Sequence, residues 1–144
     1  MRIIVQKCKK ASVDVNNKTI GKIDQGLVLL VGFTHTDTEK EIDWMINKVL
    51  NLRIFDDEMG IMNKSVLDVK GEILSISQFT LYGDANKGNR PSYIHALGGE
   101  KAEPLYNLFN QKLSNKIKVE TGKFGAEMQV SLINDGPTTI ILEK

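Results

Sequence analysis

Cysteine and histidine are scarce in this chain, which limits the chemistry that its side chains can supply. One cysteine and two histidines occur among 144 residues. A lone cysteine excludes an intrachain disulfide, and we expect a reducing, cytoplasmic setting. Cys8 lies in an apolar, strand-like segment with no His or Asn/Asp arrangement nearby, so we interpret it as a small buried residue rather than a nucleophile.

A large excess of charge and a long apolar run are also missing. The 19 basic and 18 acidic residues leave a formal net charge of +1, so any contact with nucleic acid must come from a local basic patch. The longest apolar run, residues 27–33, is too short to cross a membrane, and the start shows no signal or transit pattern. The composition is typical of one soluble globular domain over residues 1–144, with no membrane partner.

Motifs for metals and cofactors are absent as well. No group of His, Cys and Asp has metal-ligand spacing, and the acidic segment at residues 55–60 has too few ligands for a calcium loop. The segment Thr121-Gly122-Lys123-Phe124-Gly125 lacks the spacing of a phosphate-binding P-loop. The sequence therefore predicts no metal and no cofactor.

Hydrophobic periodicity predicts an α+β fold, in which two amphipathic helices cover a strand-rich sheet or close a small barrel. The helices are expected at about residues 38–52 and 101–115. The apolar run from Gly26 to Phe33 indicates a strand buried on both faces. Thr36 and Thr38 each begin a possible capping box, which leaves the start of the first helix open. The other strands are predicted at residues 1–8, 11–15, 19–23, 73–82, 117–120, 128–133 and 138–142.

Several short polar or glycine-containing motifs interrupt this pattern. Ser77-Gln78-Phe79-Thr80 lies in an alternating strand, and a basic loop with Lys87-Gly88 and Arg90-Pro91 follows it. Thr121–Gly125 comes near the end of the chain. Asn134-Asp135-Gly136-Pro137 separates two strand-like runs and is locally typical of a hairpin turn, because proline has no N–H to donate within a central strand.

Taken together, these motifs resemble the D-aminoacyl-tRNA deacylase family. The resemblance runs from Met1 through Leu52-Arg53-Ile54-Phe55 to Ile140, so it covers nearly the whole chain. Each motif alone is a weak signal, but their order and spacing are specific. The resemblance implies a homodimeric ester hydrolase that removes D-amino acids, and also glycine, from mischarged aminoacyl-tRNA.

For the C-terminal turn, the resemblance implies a cis bond between Gly136 and Pro137 and a position in the active site of the other subunit. There the turn would bind the substrate ammonium and leave no room for an L side chain, while a D side chain points away. Glycine would escape this exclusion. Asn134 and Asp135 are expected to brace the turn through side-chain-to-backbone hydrogen bonds. Thr138 stands where many family members carry valine.

The residues themselves supply no obvious nucleophile. Ser77 and Thr80 carry hydroxyls, but a hydroxyl nucleophile needs a base within reach. His35 is expected to be solvated and His95 exposed or structural, and neither lies in a triad context. The resemblance implies instead that the free 2′-OH of the tRNA assists hydrolysis, while backbone N–H groups around Phe79 and Thr80 stabilise the oxyanion.

The remaining candidates would bind the RNA. Gln78 is expected to fix the terminal adenosine or the ester, and Thr80 to orient a group through its hydroxyl. Lys87, Arg90 and Lys123 are candidates for phosphate contacts with the acceptor end of tRNA. Two other functions stay open: a nucleic-acid-binding module that keeps the fold without hydrolysis, and a small-molecule ester hydrolase with Thr80 as its nucleophile.

Overall fold

The first strand organises the sheet in the computed structural model, which describes all 144 residues. β1 (Arg2–Val15) pairs antiparallel with β3 (Gly26–Gly32) along its first half and with β2 (Lys18–Ile23) along its second half. β8 (Gln129–Glu143) is antiparallel to β1 over nearly its full length. Beyond β3 the sheet continues in parallel register, first with β6 (Glu72–Ser77) and then with β7 (Val119–Thr121).

The sheet curls until its ends nearly meet. A Cβ atom on Gly21 of β2 would lie 3.0 Å from the carbonyl oxygen of Thr121 in β7, so the missing side chain lets these strands approach. Inside the curve lies a small apolar core that contains Cys8. Burial raises the pKa of the Cys8 thiol to about 11, so the thiol is protonated at neutral pH and is not a nucleophile. The predicted strand-rich α+β fold is confirmed, as a nearly closed barrel.

Two amphipathic helices pack on the other face of the sheet. α1 (Glu39–Asn51) and α2 (Gly99–Ser114) bury their apolar stripes in a core of 21 residues, which β3 also enters. Because β3 contributes to both cores, the prediction that it is buried on both faces is confirmed. Of the two possible capping boxes, the structure uses the one at Thr38, with Glu41 accepting from the Thr38 N–H. Neither helix is long and apolar enough to span a membrane.

The acidic segment after α1 forms a small hairpin of its own. β4 (Phe55–Asp56) pairs with β5 (Met62–Lys64), and the Asp57 carboxylate accepts the N–H groups of Met59 and Ile61 in the turn between them. These bonds lower the pKa of Asp57. The segment is therefore a hydrogen-bonded hairpin turn.

The strand predicted at residues 73–82 is shorter than expected. β6 ends at Ser77, and a 3-10 helix, Phe79–Tyr82, follows. At the change of direction, the Gln78 N–H bonds to the carbonyl oxygen of Val31 at 2.7 Å. Gly32 makes room, because a Cβ atom there would lie 3.0 Å from the Gln78 carbonyl oxygen. The alternation of apolar and polar residues alone could not reveal that β6 ends at Ser77.

The prediction of a hairpin turn before the last strand is wrong, because the chain does not reverse its direction there. Asn134 pairs with Cys8 and Thr139 pairs with Gln6, so the chain keeps its direction along β1 on both sides of the motif. Residues 135–138 stand opposite Lys7 alone, as a four-residue bulge. The bulge accommodates a proline that could not donate to a regular ladder.

Candidate active site

A cavity of about 670 Å³ opens beside the carboxyl ends of β3 and β6 and the N-terminus of α2. Its 17 lining residues are mostly apolar, and none of them is Asp, Glu, His, Cys, Lys or Arg. Gly98 and Gly99, at the start of α2, leave its first N–H groups without a capping side chain. The cavity is therefore suited to a mostly apolar group that is oriented by backbone donors and a few polar side chains.

The structure brings part of the predicted catalytic motif to this cavity. Ser77, Gln78 and Phe79 line it, together with Phe124 from the Thr121–Gly125 motif. Thr80 does not line the cavity, but its hydroxyl accepts a hydrogen bond from the Gln78 side-chain amide. No Asp, Glu, His or Lys lines the cavity with Ser77, so its hydroxyl lacks the base that a serine nucleophile requires there.

Two backbone donors at the rim of the cavity are unused. Phe79 and Thr80 are the first residues of the 3-10 helix, so no earlier helical carbonyl can accept from their N–H groups. Neither N–H donates a hydrogen bond elsewhere in the chain. Adjacent, fixed N–H groups of this kind can stabilise a negatively charged oxygen.

The predicted selectivity turn lies elsewhere on the chain. The bond between Gly136 and Pro137 is cis, and neither residue lines the cavity of its own chain. Asn134 and Asp135 make no hydrogen bonds to the backbone of the turn, in contrast to what we expected. The Asp135 carboxylate lies instead 3.5 Å from the ammonium of Lys7 and 3.9 Å from that of Lys9.

A model of the family described as D-Tyr-tRNA(Tyr) deacylase matches residues 4–143. The chain belongs to this deacylase family. The family consists of hydrolases, and the resemblance inferred from the motifs is confirmed.

Individual relatives agree over the full length. A D-aminoacyl-tRNA deacylase of Brevibacillus brevis is 59% identical over 144 residues, which are 99% of each chain. A D-aminoacyl-tRNA deacylase of Bacillus cereus is 57% identical with the same coverage. Among solved structures, a c-Myc DNA unwinding element binding protein has a TM-score of 0.95 and 44% identity, covering 100% of this chain and 99% of its own. A probable eukaryotic D-amino acid tRNA deacylase shares the fold, with a TM-score of 0.84, 18% identity and coverage of 98% and 97%.

The residues predicted to contact tRNA do not line the cavity of this deacylase family member. Lys87 and Arg90 are exposed on a loop whose ends are joined by two hydrogen bonds of 2.8 Å between Asp84 and Ser92. Lys123 is exposed next to Phe124. All three side chains are exposed, and their contact with phosphates stays a prediction.

Lys7, which its sequence context did not single out, contacts the bulge that carries Gly136 and Pro137. Its side chain is 6% exposed, and its ammonium lies 3.5 Å from the Asp135 carboxylate and 4.0 Å from that of Asp56. Alternation in β1 carried a signal, because Lys7 follows Ile3 and Val5 on the buried face. A lysine at a position that should be apolar indicates a specific anionic partner.

Arg2 was also missed, and it supports the 3-10 helix from behind. Its guanidinium donates to the Leu81 carbonyl oxygen at 2.6 Å, pairs with Glu143 at 2.7 Å and lies 4.8 Å from the centre of the Tyr82 ring. Burial raises the pKa of Tyr82 to about 12, so this ring stays neutral. Both ends of the chain therefore help to fix the helix that carries the two free N–H groups.

Thr138 is buried, and its hydroxyl approaches the Met62 sulfur at 3.9 Å. This weak contact is the hydrogen-bonding option that the threonine adds where valine has none. It links the bulge to β5.

Proposed function

We propose that this protein hydrolyses the ester bond of D-aminoacyl-tRNA and spares the L-aminoacyl ester. Membership of the deacylase family supports this activity. The observation that carries the proposal is the pair of free N–H groups of Phe79 and Thr80, which stands beside a cavity lined by no Asp, Glu, His, Cys, Lys or Arg. Such a site can stabilise an oxyanion but needs its proton transfer from elsewhere.

In the proposed reaction the terminal nucleoside enters the cavity and the Gln78 side chain orients the ester. Water attacks the carbonyl carbon, and the N–H groups of Phe79 and Thr80 bind the oxygen as it becomes negative. The carbon–oxygen bond to the ribose then breaks, which releases the amino acid and restores the ribose hydroxyl. The neighbouring 2′-OH of the substrate takes part in the proton transfer.

Chiral selection is proposed to come from the Gly136-Pro137 turn of a second copy of this chain. Support comes from position: the turn is exposed and does not reach its own cavity, and Ile133 and Ile141 of the same strand are 47% and 65% exposed. A homodimer that covers these apolar side chains would place the turn against its partner. There it excludes L side chains and admits glycine.

The activity is tested by deacylation of D-tyrosyl-, L-tyrosyl- and glycyl-tRNA, with the uncatalysed rates subtracted. Rapid loss of the D-ester and the glycyl ester, with the L-ester spared, is the expected result. Loss of both tyrosyl esters would remove the chiral filter and favour a general esterase. Loss of neither, with tRNA still bound, would favour a nucleic-acid-binding module.

Replacing Thr80 with alanine should lower the rate of deacylation by only about 10-fold. The change removes one hydroxyl that accepts from Gln78, and a single hydrogen bond corresponds to about a 10-fold change in rate. Removal of a true nucleophile would cost on the order of 10⁶-fold. The rate constants of Thr80→Ala and Thr80→Val under single-turnover conditions decide between these values. A loss of more than about 10⁴-fold in both variants would make Thr80 the nucleophile.

Replacing Lys7 with methionine should weaken deacylation by about 10-fold through a displaced turn. Stability should change by no more than about 1 kcal/mol, because the carboxylates that Lys7 meets are partly exposed. Lys9→Met is the matched control: Lys9 contacts the same Asp135 carboxylate but is 68% exposed. Equal rates for the two variants would show that the buried ammonium does not hold the turn.

A further inference from the structure

Two of the aromatic rings that line the cavity are exposed to solvent. Phe79 is 57% exposed and Tyr93 is 41% exposed, whereas Phe55 and Phe109 are buried. The two rings pack edge to face, with centroids 5.1 Å apart and an angle of 67° between their planes. Both line the cavity. Clustered, exposed aromatic surface beside a cavity is a mark of a binding surface.

The backbone near Tyr93 allows this placement. A Cβ atom on Gly83 would lie 3.0 Å from Cε1 of the Tyr93 ring, so glycine leaves the space in which the ring lies. The two hydrogen bonds between Asp84 and Ser92 close the loop directly before Tyr93. The ring is thereby held between the end of the 3-10 helix and the basic loop.

The charge of that loop indicates the class of partner. Lys87 and Arg90 are its charged residues between positions 85 and 93, and both are exposed. A positively charged track beside exposed aromatic rings is the combination by which proteins bind single-stranded nucleic acid, with bases stacked on the rings and phosphates near the cations.

We propose that Tyr93, packed on Phe79, forms a stacking site for the base of the penultimate nucleotide of the tRNA 3′ end. The inference rests on the proposed function, since it assumes that the terminal nucleoside occupies the cavity. The first base outside the cavity then meets the Tyr93 ring, and its phosphate faces the loop with Lys87 and Arg90. This site adds affinity for RNA over a bare aminoacyl nucleoside.

The test compares two substrates, D-tyrosyl-tRNA and the 3′-D-tyrosyl ester of adenosine, which has no penultimate nucleotide. Tyr93→Ala should lower kcat/KM on the tRNA about 10-fold more than on the adenosine ester, as expected for the loss of one stacked base. Tyr93→Phe keeps the ring and should stay within about two-fold of the wild type on both substrates. Ile94→Ala is the matched control, because Ile94 is an adjacent, 72% exposed side chain without a ring and does not line the cavity.

A tRNA with an abasic penultimate nucleotide completes a double-mutant cycle between the Tyr93 ring and the penultimate base. The kcat/KM of the wild type should fall on the abasic tRNA by the same factor by which Tyr93→Ala lowers it on normal tRNA. The kcat/KM of Tyr93→Ala should be the same on both tRNAs. Two results would overturn the stacking site. One is an equal fall in kcat/KM of Tyr93→Ala on tRNA and on the adenosine ester. The other is a fall for Tyr93→Ala on abasic tRNA that equals the product of the two separate effects. A change of oligomeric state in Tyr93→Ala by light scattering would also overturn the stacking site, because a second copy of the chain would then cover the rings.

Binding of uncharged tRNA separates this inference from the proposed function. With 2-aminopurine at the penultimate position, the wild type should quench the fluorescence and Tyr93→Ala should not. The fluorescence can be measured even if neither tyrosyl ester is hydrolysed. Absence of hydrolysis would count against the proposed function but not against the stacking site. An unquenched wild-type complex would overturn the stacking site.

Discussion

Replacing Gly136 with alanine should leave the fold intact and lower the rate on the D-ester by about 100-fold. Within the chain a Cβ atom at this position meets only the Asn134 side-chain nitrogen, at 3.7 Å, which is an ordinary contact. The methyl group therefore has room in an isolated subunit. If the turn lies against the substrate in a partner subunit, the same methyl group displaces the ester from the two N–H groups.

Thermal unfolding and single-turnover deacylation, measured on the same sample, check this prediction. Ser131→Ala is the matched control, because Ser131 is also exposed on β8 but lies before the bulge. It should change neither quantity. A Gly136→Ala variant with wild-type rates on D- and L-tyrosyl-tRNA would show that the turn does not approach the ester. A large fall in unfolding temperature would show that the methyl group acts within the chain.

Replacing Gly26 with alanine should prevent stable folding. Gly26 pairs with Glu72 across β3 and β6, and a Cβ atom there would lie 1.8 Å from the Glu72 carbonyl oxygen and 2.7 Å from its backbone carbon and nitrogen. Backbone atoms of a central strand pair cannot rotate away as a side chain can. The free energy of unfolding should fall by more than about 4 kcal/mol.

Urea unfolding followed by circular dichroism measures the effect of Gly26→Ala. Gly99→Ala is the control, since its Cβ atom would meet only a Phe124 ring carbon at 3.7 Å and alanine favours the helix that begins there. The control should unfold at or slightly above the wild-type midpoint. A Gly26→Ala midpoint equal to that of the wild type would mean that the strands separate there at little cost.

The sequence predicted the parts of the fold that local patterns determine. The first helix has both an apolar stripe and a capping box at Thr38, and the buried run of β3 is bounded by glycines. The end of β6 escaped prediction because it depends on Val31 and Gly32, which are distant in sequence. The bulge at residues 135–138 escaped for the same reason, since only pairing with β1 distinguishes it from a turn.

The site shows the same division. Ser77, Gln78 and Phe79 were identified from a motif, and they do line the cavity. Lys7 and Tyr93 meet their neighbours only on folding: Lys7 contacts Asp135, and Tyr93 packs on Phe79. A lysine on a buried strand face was the one local signal available for either residue.

The four-residue bulge in β8 separates the register of the pairing with β1 from the length of the unpaired segment. Pairing with β1 resumes at Thr139 after ending at Asn134, so the ladder on each side does not depend on the length of the segment between them. An inserted or deleted residue within the bulge would change how far the chain projects without shifting the register of either half. Evolution could therefore retune the reach of this projection while the barrel keeps its shape.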